Sequence, residues 1–326
     1  MCDADRLPRR RNAFTLIELM VVIVLILAVA AVGIGYVVFG QDSNHSTSAA
    51  TAVTGAMLNG KQRARHDGVA TGIRLLFGTN GLPATQCGQL VLVQQPEDYT
   101  LGFCTGYTGG NPLNNQLSFQ NVDFLGGASY PGEIDQATVQ AGDYFISPAL
   151  TSPRRINQVS GTPPNVQTLT FDSPITSFTA GYQYNIVRGP RRIASEDVIQ
   201  LPANIVVDNS LMPNQAVNPG YTLCQNLPQR TLVDANNPNG VPVSEIVFSS
   251  AGGLIGQGTT YDYVLLWVRD PSLPSPTSGA PLIVSVQVRT GLISVYPVAP
   301  WNPAQPIVPG VNDPYALAKD GRASGM

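Results

Sequence analysis

Arg11-Asn12-Ala13-Phe14-Thr15-Leu16-Ile17-Glu18-Leu19-Met20 marks the point where a basic, polar chain turns abruptly apolar. Upstream, Met1 to Ala13 holds Arg6, Arg9, Arg10 and Arg11 against Asp3 and Asp5. Downstream, Phe14 to Phe39 is apolar apart from Thr15, Glu18, Gly33, Gly35 and Tyr36. As a helix this stretch measures about 39 Å, at roughly 1.5 Å per residue. A bilayer hydrocarbon core is about 30 Å thick, so residues 14–39 have the length to span it with some tilt. The arginines immediately before the stretch predict a cytoplasmic N-terminus and export of everything after Gly40. Glu18 is the exception in this pattern. A carboxylate in a spanning segment costs a few kcal/mol and is uncommon there without a partner, so a snorkelling side chain competes with a specific pairing role.

The same string resembles the class III signal of type IV pilins and type II secretion pseudopilins. In that family a basic leader ends in a small residue, a prepilin peptidase cuts before Phe and methylates the new N-terminus, and Glu is the fifth mature residue. The resemblance implies removal of residues 1–13 by cleavage between Ala13 and Phe14, N-methylation of Phe14, and an assembly role for Glu18. Thr15, Leu16, Ile17, Leu19 and Met20 match the family run, and Ala13 stands where Gly is usual. Cleavage leaves a positive α-amino group at the start of an apolar helix, and a neighbouring subunit's Glu18 neutralises it in lipid. Only one axial stagger allows that pairing. Ala28, Ala30, Ala31, Gly33 and Gly35 permit close helix approach. The implied partners are prepilin peptidase, other pilin or pseudopilin subunits, an inner-membrane assembly platform and the bacterial inner membrane. The implied topology is single-pass, with the C-terminal domain periplasmic or in a filament. A competing reading takes Leu19–Leu27 with Ala28-Val29-Ala30 as an ordinary secretory signal. The apolar continuation from Val32 to Phe39 and the carboxylate that opens the run argue against it.

Beyond the apolar segment the 326-residue chain is turn-rich and poorly charged. It has 32 Gly, 27 Pro, 12% charged residues and a net charge of −3. That composition suits a β-rich domain and gives no global attraction for nucleic acid. Ala50, Val53, Met57, Lys61 and Ala64 recur at helical steps, so residues 40–67 read as a stalk helix that Gly68 ends. From 68 to 296 short β runs alternate with Gly, Pro and Asn clusters, predicting an antiparallel β domain. The expected strands are 72–77, 90–95, 144–147, 166–171, 182–187, 205–207, 245–248, 263–269, 283–289 and 292–296. The fold class is therefore α+β, a long N-terminal helix packed on an antiparallel β domain in the manner of pilins. Six prolines between Pro297 and Pro314 predict an extended, surface-hugging or loose tail over 297–326.

Arg63 to Ala70 with the strand that follows, Glu245 to Gly253, the strand Tyr263–Arg269, and Val286 to Val295 resemble the H-type minor pseudopilins. Residues 106–200 are then an insertion relative to that family. Cys2 lies in the leader. Cys87 and Cys104 flank a strand and turn outside the cytoplasm, where disulfides form, so a Cys87–Cys104 bridge is expected and Cys224 is left buried and free. Gly55 to Gln62 imitates a phosphate loop but lies in a helical pattern without the Ser or Thr that holds magnesium. Two histidines beside the stalk and no credible triad leave no catalytic set, and no metal or cofactor is implied. The expected role is structural, in a secretion pseudopilus or pilus-like filament. The alternative is a membrane-anchored binding module, an adhesin or DNA-uptake pilin, with Arg154, Arg155, Arg188, Arg191 and Arg192 the only positive clusters in the exported part.

Overall fold

The computed structural model describes residues 16–107, 115–124, 138–161, 166–175, 181, 183–193, 195–234, 237–256 and 261–321, with the side chains of 18, 30–44, 107 and 230–242 outside that description. Residues Met1–Asn44 and His45–Met326 form two compact units. Helix α1 (Leu16–Asp67) contributes to both. It ends as the sequence predicts, at Gly68 in the left-handed conformation (φ 70°).

The strands in chain order are β1 (Thr71–Phe77), β2 (Gln86–Gln94), β3 (Phe103–Tyr107), β4 (Gln116–Gln120), β5 (Tyr144–Ile146), β6 (Arg154–Gly161), β7 (Gln167–Phe171), β8 (Asn185–Val187), β9 (Arg191–Arg192), β10 (Ile199–Gln200), β11 (Val206–Asp208), β12 (Gln229–Asp234), β13 (Asn237–Phe248), β14 (Leu254–Ile255), β15 (Tyr263–Arg269), β16 (Leu282–Gln287) and β17 (Ile293–Pro297), followed by helix α2 (Ala316–Asp320). They form two antiparallel sheets. The larger runs β12-β13-β1-β2-β11-β15-β16-β17, with β9 and β10 added to β2 and β14 to β13. The smaller runs β3-β4-β7-β6-β5-β8.

Strand alternation gives the large sheet two apolar faces. Leu90 and Leu92 of β2, Ile73 and Leu75 of β1, and Ile246 and Phe248 of β13 join the main core with the α1 residues Ala49, Ala50, Val53, Ala56, Met57 and Ala64. Val91, Val93 and Val247 point the other way, into a small second cluster with Leu76 and Ile255. The α1 residues facing the sheet are mostly small, and this lets the helix come close. A Cβ on Gly60 would lie 3.0 Å from the Gly72 Cα. Lys61, on the same stretch of helix, donates from Nζ to the carbonyls of Thr290 at 3.1 Å and Gly291 at 2.7 Å. The phosphate-loop imitation is thus a helix whose lysine holds the β16–β17 turn.

The smaller sheet has its own core, in which Phe119 meets Phe124, Phe145 and Tyr184 at ring-centroid separations of 5.2, 5.9 and 5.0 Å. Chain leaves the large sheet at the end of β2 and returns as β9, and Gln94 pairs with Arg191 across that junction. The smaller sheet is therefore an insertion whose ends meet. Tyr99 already belongs to its core, and the chain is back in the large sheet by Arg191.

Over its described part, to Gly321, the C-terminal segment is held in place by hydrogen bonds. Ala299 N–H donates to the Pro314 carbonyl at 3.0 Å, the Asn312 amide donates to the carbonyls of Asn302 and Pro306, and the buried Tyr315 hydroxyl donates to the Leu223 carbonyl at 2.9 Å. Prolines remove donors, yet one buried aromatic and one asparagine anchor this segment.

One expectation is corrected, that of the cysteines. Cys87, Cys104 and Cys224 are all free and buried. The expected Cys87–Cys104 bridge is absent because Cys87 on β2 enters the main core and Cys104 on β3 enters the core of the inserted sheet. Their Sγ atoms donate to different carbonyls, Gln89 and Ser118. Cys224 lies as expected, accepting from Trp267 N–H at 3.3 Å and donating to the Asp208 carbonyl at 3.2 Å. Burial pushes the Cys87 thiol up to about 12 and the Cys104 thiol to about 11, and raises Cys224 as well.

Native protein at pH 8 is therefore expected to resist alkylation at these three positions, and denatured, unreduced protein to label at all three. Labelling that drops by two would instead reveal a bridge. The helix contact makes a second prediction. Gly60→Val should cost about 1–3 kcal/mol in denaturant unfolding through overpacking. Gly55→Ala, on an exposed helix position with nothing within 4 Å, should gain about 1 kcal/mol from helix propensity. Equal effects at both sites would contradict the close-packed helix face.

Candidate functional site

The sequence places its functional residues at the start of the chain. Ala13 and Phe14 lie outside the described residues, and Glu18 lies on the first turn of α1 with its side chain outside the description. Around it the apolar side chains are uncovered. Leu16, Ile17, Leu19–Leu27 and Val29 include exposures from 44% at Val22 to 78% at Leu16. Each such residue left in water forgoes roughly 1.5–3 kcal/mol of burial. This exposed helix surface calls for an apolar environment. Among the described residues no helix is long and apolar enough to cross a membrane, and the described apolar side chains end at Val29.

A second candidate lies where the inserted sheet meets the outer face of the large sheet, and no motif in the sequence marks it. Buried ion pairs hold the junction. Arg74 of β1 pairs with Glu245, its cross-strand neighbour on β13, at 2.6 Å, and also donates to the Pro190 carbonyl at 3.1 Å. Asp143, fully buried, accepts from Gly189 N–H, Gln140 N–H and the Arg191 guanidinium, at 2.9, 2.9 and 2.7 Å. Removing one member of such a pair leaves a buried charge unmatched, typically at a cost of 3–5 kcal/mol. Between these pairs opens a cleft of about 260 Å³, with Tyr144, Val187 and Arg188 on one wall and Pro228, Val247 and Ile255 on the other.

The arginine clusters that suggested a positive patch are engaged within the fold. Arg154 donates to the Ser173 hydroxyl, Arg191 binds Asp143, and Arg192 donates to the Glu196 carbonyl. Arg188 donates from Nε to the Glu97 carbonyl at 2.6 Å. Arg63 on α1 pairs with Glu196. These contacts hold strands and loops together.

The segments that carried the H-type resemblance converge in space. A Cβ on Gly291 would lie 2.0 Å from the Gly252 carbonyl oxygen, and one on Gly252 would lie 2.6 Å from an Arg65 nitrogen. The Ser249–Gly253 loop and the β16–β17 turn thus stack against the end of α1. Glycine is required at both positions, which also have positive φ (59° at Gly291 and 91° at Gly252).

No curated protein and no solved structure matches the chain. Residues 8–34 match the family model of the prokaryotic N-terminal methylation motif, so the chain carries the pilin-type signal of a prepilin peptidase substrate.

Proposed function

We propose that this protein is a structural, pilin-like filament subunit. The observation that carries the reading is the methylation motif over residues 8–34 coinciding with an uncovered apolar helix surface from Leu16 to Val29. Prepilin peptidase cuts between Ala13 and Phe14 and methylates Phe14. Residues 14–39 hold the subunit in the inner membrane with the leader cytoplasmic, and the domain from His45 onward lies in the periplasm. An assembly platform then draws subunits from the membrane, their apolar helices forming the filament core. Glu18 of one subunit neutralises the α-amino group of its neighbour and so fixes the stagger. The role is non-enzymatic.

Within pilin-like proteins the closest fit is a long H-type minor pseudopilin of a type II secretion pseudopilus. Its support is the convergence of Arg65, Gly252 and Gly291 at the end of α1, where three of the resembling segments meet. The inserted sheet is extra material carried on that frame.

Glu18→Val tests the assembly role. The variant should reach the membrane and keep the wild-type melting transition of its β domain. It should fall out of sheared filaments or pseudopili, because the lost pairing costs about 3–5 kcal/mol at each subunit contact. Wild-type incorporation of Glu18→Val would show that the charge pair does not set assembly.

A further inference from the structure

The cleft beside the inserted sheet keeps a hydrogen-bonding capacity that the fold does not use. The carboxylates in and beside it are already matched, Glu245 by Arg74 and Asp143 by Arg191 with two backbone N–H groups. Arg188 is different. Beyond the bond from Nε to the Glu97 carbonyl, its guanidinium makes no hydrogen bond among the described residues. Burial, and then the neighbouring Arg191 charge, lower its pKa, while Asp143, Asp98 and Glu97 oppose that shift. Of those acids Asp143 is held by Arg191, Asp98 accepts from the Asn185 amide at 2.6 Å, and Glu97 is exposed. Tyr144 also lines the cleft, and its hydroxyl makes no hydrogen bond among the described residues.

Apolar residues line the same cleft. Val247 and Ile255 belong to the small cluster on the outer face of the large sheet, and Val187, Pro190 and Pro228 complete the walls. A purely apolar occupant would strip Arg188 of water and return nothing. A strongly hydrated anion would leave the apolar walls unused. An apolar body that carries a carboxylate satisfies both, since a charge-assisted bond to a guanidinium is stronger than a neutral one. Size narrows the class. Sites for drug-sized ligands enclose about 300–1,000 Å³, and this cleft encloses about 260 Å³.

We propose that the cleft binds a small apolar carboxylate, one or two amino-acid residues in size, with the carboxylate on Arg188 and the Tyr144 hydroxyl and the apolar body against Val247, Ile255 and Pro228. A free apolar acid and the C-terminal residue of a partner polypeptide share this chemistry.

Calorimetric titration of the full-length protein in detergent tests the site with four probes: N-acetyl-leucine, a tetrapeptide ending in leucine, and the C-terminal amide of each. Both acids should bind, and each amide should bind about tenfold more weakly. Arg188→Gln should remove the preference for acid over amide. Tyr144→Phe, which keeps the ring, should reduce that preference and leave the melting temperature unchanged. A tetrapeptide that binds more tightly than N-acetyl-leucine identifies a chain end as the ligand, and equal binding identifies a free acid. Acid and amide binding alike, no binding by any probe, or an acid preference that survives both substitutions would overturn the proposal.

Discussion

The approach of α1 to the large sheet at Gly60 and Gly72 is the constraint on which the rest of the domain depends. Side chains larger than alanine at most of the facing helix positions would lift the helix off β1. Close contact brings Lys61 within reach of the Thr290 and Gly291 carbonyls and Arg65 within reach of Gly252. The β16–β17 turn and the Ser249–Gly253 loop are thereby fixed to the helix. Trp267 and Tyr315, edge to face at 5.7 Å, then fasten the C-terminal segment to the same core.

The inserted sheet is added to this frame without disturbing it. Its two ends meet at the Gln94–Arg191 pair, so the host strands need no rearrangement to accommodate it. Buried charge holds the junction where apolar packing is thin. Arg74–Glu245 and Arg191–Asp143 give orientation more than net stability, because desolvation consumes much of their Coulombic gain. They also leave a cleft with apolar walls, which a continuous core would have filled. The stretch of α1 from Leu16 to Val29 follows the opposite logic, with its described apolar side chains exposed.

Much of this was legible in the sequence, for identifiable reasons. Gly68, the helical spacing of Ala50, Val53, Met57 and Ala64, and strands such as Tyr263–Arg269 are local signals, and local propensity and burial agree there. The β6 strand, Arg-Arg-Ile-Asn-Gln-Val-Ser-Gly, was not legible because only Ile156 is fully buried and partner strands define the rest. The first half of β13 was hidden by Pro238, Gly240 and Pro242, which read as turn. Cysteine pairing failed because proximity in sequence said nothing about which of two cores each thiol enters. The cleft had no sequence signal at all. Tyr144, Arg188, Pro228 and Val247 come from four separate segments that only the junction assembles.

The central claim is that Phe14 becomes the first residue of a filament subunit. The most direct test is the intact mass and N-terminal peptide of the protein taken from its native membrane. The account predicts a chain beginning at N-methylated Phe14. A chain beginning at Ala31, as an ordinary secretory signal would leave, or an uncut chain beginning at Met1, would contradict it.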